Sequence, residues 1–305
     1  MSINGSYVCI ESVEDIHSYS MIKKTLYDVL SHFREGIHIP PRGKAMIKLN
    51  LCLLKGPETG STVDPIVAKA IVEWLLDHFD LEKIYLAEAD ANHLGADMAF
   101  RALGWHDLFQ GNTKVELFNL SKDEVVPVQS KYIKNLQMAK TMMEVDFLIS
   151  LAKLKTHTMQ KITAIMKNQY GAIPYKYKII YHPILAGAIY DATAARKPDL
   201  CVIDGLIGME GNGPTNGIPR ITKLLFASND TVSMDHFCAR LMGFRPMSIP
   251  HLRIAADNGL GKTEYTVLGN PPDPLNLKFK CLPMWKEIFK KIVASLQRGA
   301  SHEED

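Results

Sequence analysis

The chain has 305 residues, with 35 basic and 33 acidic side chains and a formal net charge of +2. Its 47% hydrophobic and 22% charged residues are typical of a globular protein and exclude intrinsic disorder, and the small net charge argues against a nucleic-acid binder that relies on bulk charge. Its length allows two domains of roughly 150 residues or one large α/β domain, and any anion site must come from locally concentrated charge.

The first third of the chain alternates strand and helix patterns. Asp64 followed by Pro65 is typical of a helix start, because Asp caps the first turn and Pro fits the first helical position. Such alternation favours a parallel sheet flanked by helices. The predicted elements are a strand over residues 6–10, an amphipathic helix over 15–33, a strand over 45–49, a helix from Pro65 to about His78 and a strand over 83–87.

The second part of the chain begins with a different pattern. Residues 111–137 form a polar, β-rich excursion, with strands predicted over 114–118 and 125–128. The α/β pattern then resumes, with strands over 145–151, 200–204, 222–227 and 265–268 and helices over 158–167, 183–196, 231–242, 248–258 and 285–297. We predict an α/β fold with a mostly parallel sheet, as a single large domain over residues 1–300 or two interwoven lobes. A frayed acidic tail over 301–305 follows.

The start of the chain and its cysteines suggest a compartment. No cationic region followed by an apolar stretch opens the sequence, and no apolar run approaches the roughly 20 residues that span a bilayer. The five cysteines are an odd number and none forms a CxxC pair, which argues against a disulfide framework, a zinc ribbon and an iron–sulfur cluster. These features predict a cytoplasmic protein with reduced thiols and no membrane contact.

The densest polar segment spans residues 150–171. It follows a predicted strand and opens a predicted helix, which is where ligands bind in open α/β sheets. Lys153 and Lys155 share a face if the strand persists, and His157, Lys161 and Asn168 share a face of the predicted helix. The segment is therefore predicted to bind a carboxylate or phosphate, the alternative being a solvated basic helix face. His157 is a ligand, an acid–base group or a helix cap.

A glycine-rich segment spans residues 203–220. Asp204 ends a predicted apolar strand there, and Glu210 and Asn212 lie among the glycines. The two carboxylates are candidates for proton transfer or for binding a hard divalent ion. The alternative is a glycine-rich turn between two strands, with Asp204 as a cap.

A third candidate segment runs from Lys48 and Asn50 through small residues to Asp64. Ser61 and Thr62 supply hydroxyls and free backbone N–H groups at the start of the next helix, which makes a second possible anion cradle. An ordinary capped connection is the alternative. Four weaker candidates, at the end of another strand, are Glu88, Asp90, Asn92 and His93.

Several blocks together resemble a known family. They are the residues 48–50, 60–62, 153–157, 167–171, 204–214 and 227–239. In this order they resemble the prokaryotic family catalogued as domain of unknown function 362, over about residues 44–270. The resemblance implies no settled reaction. Some members carry a fused ferredoxin-like module, which implies redox chemistry for those members, but this chain lacks the cysteine pattern for such a module.

Two classes of function remain open from the sequence. The first is an enzyme acting on a small anionic metabolite, with a divalent metal ion as a possible cofactor and with catalytic candidates His157, Lys155, Asp204 and Glu210. Its ligand-binding candidates are Lys48, Asn50, Ser61, Thr62, Lys153, Thr156, Lys161, Lys167, Asn168 and Asn212. The second is a non-catalytic protein that holds an anionic metabolite or cofactor, or docks to an iron–sulfur redox partner. A homo-oligomer is open, and no nucleic-acid partner is expected.

Overall fold

The computed structural model of the chain describes residues 5–92, 94–274 and 276–281. The predicted helix over 285–297, the acidic tail over 301–305 and His93 lie outside these residues. The described strands are β1 (Tyr7–Ser12), β2 (Gly43–Lys48), β3 (Leu81–Glu88), β4 (Val115–Asn119), β5 (Val125–Pro127), β6 (Gln137–Ala139), β7 (Phe147–His157), β8 (Lys161–Thr163), β9 (Leu200–Glu210), β10 (Ile218–Ser228) and β11 (Thr266–Gly269). The described α-helices are α1 (Tyr19–Ser31), α2 (Pro65–His78), α3 (Ala96–Ala102), α4 (Trp105–Leu108), α5 (Lys140–Glu144), α6 (Ile165–Gly171), α7 (Leu185–Ala195), α8 (Thr231–Leu241) and α9 (Pro250–Asp257).

Nine of the described strands form one mixed sheet. Their order is β11-β1-β10-β9-β7-β2-β3-β4, and β8 pairs with the end of β7. The five strands from β9 to β4 run parallel to one another, whereas β10 is antiparallel to both of its neighbours. The predicted α/β class with a mostly parallel sheet is confirmed. The β-rich excursion near residues 111–137 consists of the edge strand β4 and of β5, which pairs with β6 in a separate small sheet.

Helices cover both faces of the sheet, because successive buried side chains of its strands point to opposite faces. In β2, Ala45 and Ile47 belong to the apolar cluster that includes α1 to α4. Met46, between them, belongs to the cluster on the other face, which includes α6 to α9. Within the described part of the chain, no helix is long and apolar enough to cross a membrane.

The helix predicted over residues 158–167 is wrong. Strand β7 continues to His157, turns, and pairs antiparallel with β8, so that His157 lies opposite Lys161. Lys161 has a φ of 63°, a left-handed conformation that no helix interior contains. The helix α6 begins only at Ile165. His157, Lys161 and Asn168 therefore do not share a helix face.

The glycine-rich segment is mostly a long strand pair. Strand β9 continues to Glu210 and pairs with β10, so Asp204 lies inside a strand and not at its end. A side chain at Gly213 would collide with the carbonyl group of Thr156, at the end of β7. The glycine at this position therefore allows the turn between β9 and β10 to lie directly on β7.

The chain reverses its direction across the sheet between β2 and β7. From β2 it moves outward through β3 to the edge strand β4, and it then returns to the other side of β2 to form β7 and, beyond it, β9. The connections that follow β2 and β7 therefore lead toward opposite edges of the sheet. Such a switch point creates a crevice in which open α/β sheets bind ligands.

Candidate functional site

A cavity of about 180 Å³ lies at this switch point. The ends of β2, β3 and β7, the helix α6 and the 3₁₀ segment Lys178–Ile184 all contribute to its walls. Its ionisable side chains are mostly cationic or basic. They are Lys48, Lys155, Lys167, Lys178, His157, His182, Glu88, Cys52 and Tyr170.

Asn168 fixes the floor of the cavity by joining α6 to both strands. Its amide oxygen accepts a hydrogen bond from Asn50 Nδ2 at 3.0 Å, and its amide nitrogen donates to Ser150 Oγ at 3.0 Å and to the carbonyl oxygen of Lys48 at 3.2 Å. The side chain is 1% exposed. Asn168 lines the cavity as predicted, but its polar atoms are used to hold β2 and β7 in register with the helix.

Replacing Asn168 by Ala is expected to lower the free energy of unfolding by about 2 kcal/mol, because buried groups on both strands lose their partners. Urea denaturation followed by circular dichroism measures this. Asn258→Ala is the matched control, since Asn258 is exposed and bonds only at the surface, and it should change stability by less than about 0.5 kcal/mol. Equal stability losses in the two variants would contradict the role of Asn168 as a clamp.

Lys48 and Glu88 form a buried ion pair across β2 and β3. Lys48 Nζ lies 2.6 Å from Glu88 Oε1, and the two side chains are 1% and 7% exposed. Glu88 also accepts backbone N–H groups from Leu51 at 2.8 Å and Ala89 at 2.9 Å. Desolvation lowers the pKa of Lys48, and the charge of Glu88 opposes this. The single glutamate of the cavity is thus already compensated by the lysine beside it.

Lys155 is held by three acceptors at the end of β7. Its ammonium donates to the carbonyl oxygen of Ser61 at 2.6 Å, to Asn50 Oδ1 at 2.8 Å and to Cys52 Sγ at 3.2 Å. Its side chain is 1% exposed, so its position is fixed. Lys155 therefore contributes a fixed positive charge to the cavity. Its three N–H donors are already used by protein acceptors, so it is not placed to transfer a proton.

Lys178 is similarly satisfied, although it comes from a distant segment. It donates to three backbone carbonyl oxygens, those of Asp90 at 2.5 Å, Ile173 at 2.7 Å and Tyr175 at 3.3 Å. Desolvation lowers its pKa to about 8, against the charge of Glu88. It adds a second fixed cation to the cavity wall, next to the chain that follows β3.

Lys167 differs from the other three lysines. Among the described residues its ammonium donates no hydrogen bond and forms no ion pair, and its contact is with the ring of Tyr170, whose centroid lies 4.3 Å away. Burial and then the charge of Lys155 lower the pKa of Lys167 to about 7. Near neutral pH this side chain is present both as an ammonium and as a free amine.

His157 is a neutral hydrogen-bond donor in this environment. Its Nδ1 accepts the backbone N–H groups of Met159 and Gln160, each at 3.2 Å, which leaves the proton on Nε2. Burial, followed by the charge of Lys167, lowers its pKa well below the usual value. The turn after β7 therefore sets the tautomer of the imidazole, and its Nε2–H is the group left for a ligand.

One buried hydroxyl group in the cavity wall has no hydrogen-bond partner among the described residues. Thr163 lines the cavity and is 2% exposed, yet its Oγ1 has no hydrogen-bond partner within the described residues. The Oδ1 atom of Asn92, which also lines the cavity, is in the same situation. Unpaired buried polar atoms are costly, and both would be satisfied by a polar molecule in the cavity.

The chain matches the family described as "Domain of unknown function (DUF362)" over residues 46–240. The chain belongs to this family. The matched region contains every described residue that lines the cavity of this chain, from Lys48 to Pro214. The blocks that carry the predicted resemblance therefore include the strand ends that build the site.

Individual proteins give more distant likenesses to this DUF362 protein. The Thylakoid-associated protein sll1697 of Synechocystis sp. (strain ATCC 27184 / PCC 6803 / Kazusa) is 33% identical over 142 residues. The match covers 44% of this chain and 44% of that relative, which is less than half of its length. The lactate racemase apoprotein from Thermoanaerobacterium thermosaccharolyticum is 12% identical, with a TM-score of 0.40, over 74% of this chain and 54% of its own. Loganic acid methyltransferase with SAH has a TM-score of 0.25 and 13% identity over 69% and 60% of the two chains. At these TM-scores the two structural likenesses carry no functional argument.

The two carboxylates predicted to be catalytic lie outside the cavity. Asp204 accepts a hydrogen bond from Lys153 Nζ at 2.7 Å, and both side chains are almost completely buried. Glu210 lies 2.6 Å from Arg220, which with the backbone N–H of Lys280 opposes its burial and lowers the pKa of this carboxyl. Within the described residues, no group of three or more His, Cys, Asp or Glu side chains is placed to hold a metal ion.

The remaining predicted ligands also point elsewhere. Ser61 and Thr62 are 0% and 1% exposed and do not line the cavity. Thr156 donates to the carbonyl oxygen of Gly211, and Lys161 donates to Ser248 Oγ. Asn212 and Lys153 are likewise absent from the cavity wall. Of the predicted site residues, the structure brings together Lys48, Asn50, Lys155, His157, Lys167 and Asn168.

Several cavity residues were not predicted from the sequence, or were only weaker candidates. Lys178 and His182 come from the 3₁₀ segment after α6, which the sequence marks only by a basic and aromatic composition. Thr163 follows a turn where a helix was expected. Glu88 was a weaker candidate at the end of β3, and its place in the cavity follows from the parallel pairing of β2 with β3.

Proposed function

We propose that the protein is an enzyme that binds a small organic anion in the switch-point cavity and moves a proton to or from it. The observation that supports this most directly is the charge of the wall, which has four lysines and one carboxylate, with that carboxylate paired to Lys48. Buried charge without a partner is unfavourable. An anion in the cavity would compensate it.

The volume of the cavity limits the ligand. About 150 Å³ is enough to hold a molecule of the size of benzene, so about 180 Å³ accommodates roughly six to eight non-hydrogen atoms. Drug-sized and nucleotide-sized ligands need about 300 Å³ or more. A three- or four-carbon acid or a small phosphate ester fits this limit.

Lys167 and His157 are the groups suited to the chemistry. Proton transfer is most effective when the pKa of the catalytic group lies near the working pH, and that of Lys167 is about 7. His157, which stays neutral, would donate its Nε2–H to an oxygen that gains negative charge. Lys155 and Lys178, held by protein acceptors, would stabilise the anion without taking part in proton transfer.

The affinity for a small carboxylate is expected to fall as the pH rises above 7, by up to about tenfold per pH unit, because the anion binds best when Lys167 is protonated. Calorimetric titration with pyruvate between pH 6 and pH 9 measures this. A small phosphate ester, titrated in parallel, decides between the two kinds of anion. In Lys167→Met the pH dependence near 7 should disappear, and an unchanged profile would contradict the assignment.

A second measurement separates an enzyme from a binding protein. Nuclear magnetic resonance in D₂O follows exchange of the methyl protons of pyruvate, which are acidic because they lie next to a carbonyl group. Exchange faster than in buffer, and lost in Lys167→Met, supports proton transfer. Binding without any exchange would favour the alternative, a protein that holds an anion without turning it over.

A further inference from the structure

We propose that Lys167 is a nucleophile that forms a covalent imine with the carbonyl carbon of a small oxo acid bound in the cavity. This inference rests on the proposed anion binding and names the substrate class, an acid that carries an aldehyde or ketone group. It assigns Lys167 a step beyond proton transfer.

The contacts of the four lysines single out Lys167. Lys48, Lys155 and Lys178 are each bound to protein acceptors, at distances of 2.5–2.6 Å for their shortest contacts. Their nitrogen lone pairs would become available only if these bonds were broken. Lys167 has no acceptor to give up among the described residues, and it lies on the wall of the cavity. It is therefore the amine that can approach a ligand at the lowest cost.

The surroundings of Lys167 also keep its amine reactive. A lysine becomes nucleophilic when it is desolvated or lies near another cation, and Lys167 is half-buried in the cavity wall and near Lys155. Desolvation is the larger cause and the charge of Lys155 the second, and together they lower the pKa to about 7. About half of the side chains would then carry a free lone pair at neutral pH.

The reaction can be written with the groups of the cavity. The lone pair of Nζ attacks the carbonyl carbon, the C=O π bond breaks, and a proton passes to the oxygen to give a carbinolamine. The carbinolamine then loses its hydroxyl group and the remaining N–H proton as water, which leaves a C=N bond. No oxidant, reductant or metal ion is consumed, and hydrolysis reverses the step.

The unpaired polar groups of the cavity fit this reaction. The carbonyl oxygen needs a hydrogen-bond donor, and His157 Nε2–H and the Thr163 hydroxyl both lack a protein acceptor among the described residues. The carboxylate of the oxo acid would lie in the field of Lys155 and Lys178. A protonated imine draws electrons from the neighbouring carbon, so imine formation would also assist the proposed proton transfer.

Borohydride trapping tests the inference. The protein is incubated with pyruvate, reduced with sodium borohydride, and examined by intact mass and peptide mapping. We expect one reduced adduct per chain, located on Lys167. At pyruvate concentrations that saturate the site at each pH, its rate of formation rises with pH to a plateau above about pH 7, because the free amine reacts. Malonate, which lacks a ketone or aldehyde, should protect Lys167 from trapping.

Two variants make the result specific. Lys167→Arg keeps the positive charge and should lose at least tenfold of the adduct, whereas Lys176→Arg, at an exposed lysine nearby, should keep it. Urea denaturation of both variants confirms that they are folded. An adduct spread over surface lysines, or one that survives Lys167→Arg, would overturn the inference.

The outcome also separates this inference from the proposed function. If pyruvate binds and its methyl protons exchange but no adduct is trapped, Lys167 is an acid–base group only and the imine is refuted. If neither pyruvate nor a phosphate ester binds, the proposed function itself fails.

Discussion

Replacing Asp204 by Ala is expected to lower the free energy of unfolding by about 3–5 kcal/mol, because it leaves the ammonium of Lys153 buried without a counter-ion. The two side chains are 0% and 1% exposed and lie 2.7 Å apart. Asp204 also accepts the backbone N–H groups of Asp64 at 2.8 Å and Leu206 at 3.1 Å. It therefore joins β9 to β7 and to the start of α2, and its loss would be felt in all three elements.

A double variant tests whether the pair acts as a unit. Lys153→Met combined with Asp204→Leu removes both charges and should recover most of the stability lost in Asp204→Ala, since an apolar pair of similar volume can replace a buried ion pair. Lys140→Ala, in an exposed pair with Glu124, is the control and should change stability by less than about 1 kcal/mol. Urea denaturation measures all four proteins. An Asp204→Ala variant that is fully stable but has lost the exchange of pyruvate methyl protons would show instead that Asp204 is catalytic.

Asp204 shows which features of the structure can be predicted from the sequence and which cannot. Alternating apolar patterns predicted the α/β class, and the Asp64–Pro65 cap predicted the start of α2 at Pro65, because both signals are local. Lys153, Lys155 and Asp204 suggested strand ends, since charged residues are rarely buried in strands. Lys153 and Asp204 are buried because they meet each other, across 51 residues of sequence, and periodicity does not reveal such a partner.

The site was predicted in part for the same reason. Lys48 and Lys155 were expected in the candidate site, and they line its cavity, because ligands collect at the carboxyl ends of parallel strands and this rule depends only on strand order. Lys178 was missed because it enters the cavity from a 3₁₀ segment and is held by carbonyl groups as distant as that of Asp90. The distinct role of Lys167 depends on which neighbours have acceptors, and the sequence contains no signal for that.

Replacing Lys167 by Met is expected to stabilise the ligand-free protein while abolishing the pH-dependent binding of anions. The pKa of Lys167 is about 7 in the folded protein and its ordinary value is 10.5. Between these pH values the unfolded chain binds a proton that the folded chain does not, so the wild-type free energy of unfolding rises with pH. At pH 6 the folded protein carries the unfavourable ammonium, and Lys167→Met should gain about 2 kcal/mol, after allowance for partial exposure of the side chain.

The gain should shrink as the pH rises from 7 toward 10.5, because deprotonation then removes the same cost from the wild type. Lys178→Met is the matched control, and it is expected to lower the free energy of unfolding instead of raising it. The pKa of Lys178 is also lowered, but its ammonium donates to three carbonyl groups, and removing it leaves them unpaired. We therefore expect Lys178→Met to be less stable than the wild type at pH 6 and Lys167→Met to be more stable, as measured by urea denaturation. Destabilisation by both substitutions would mean that Lys167 supports the fold, whereas opposite signs identify it as a residue kept for its chemistry at a cost in stability.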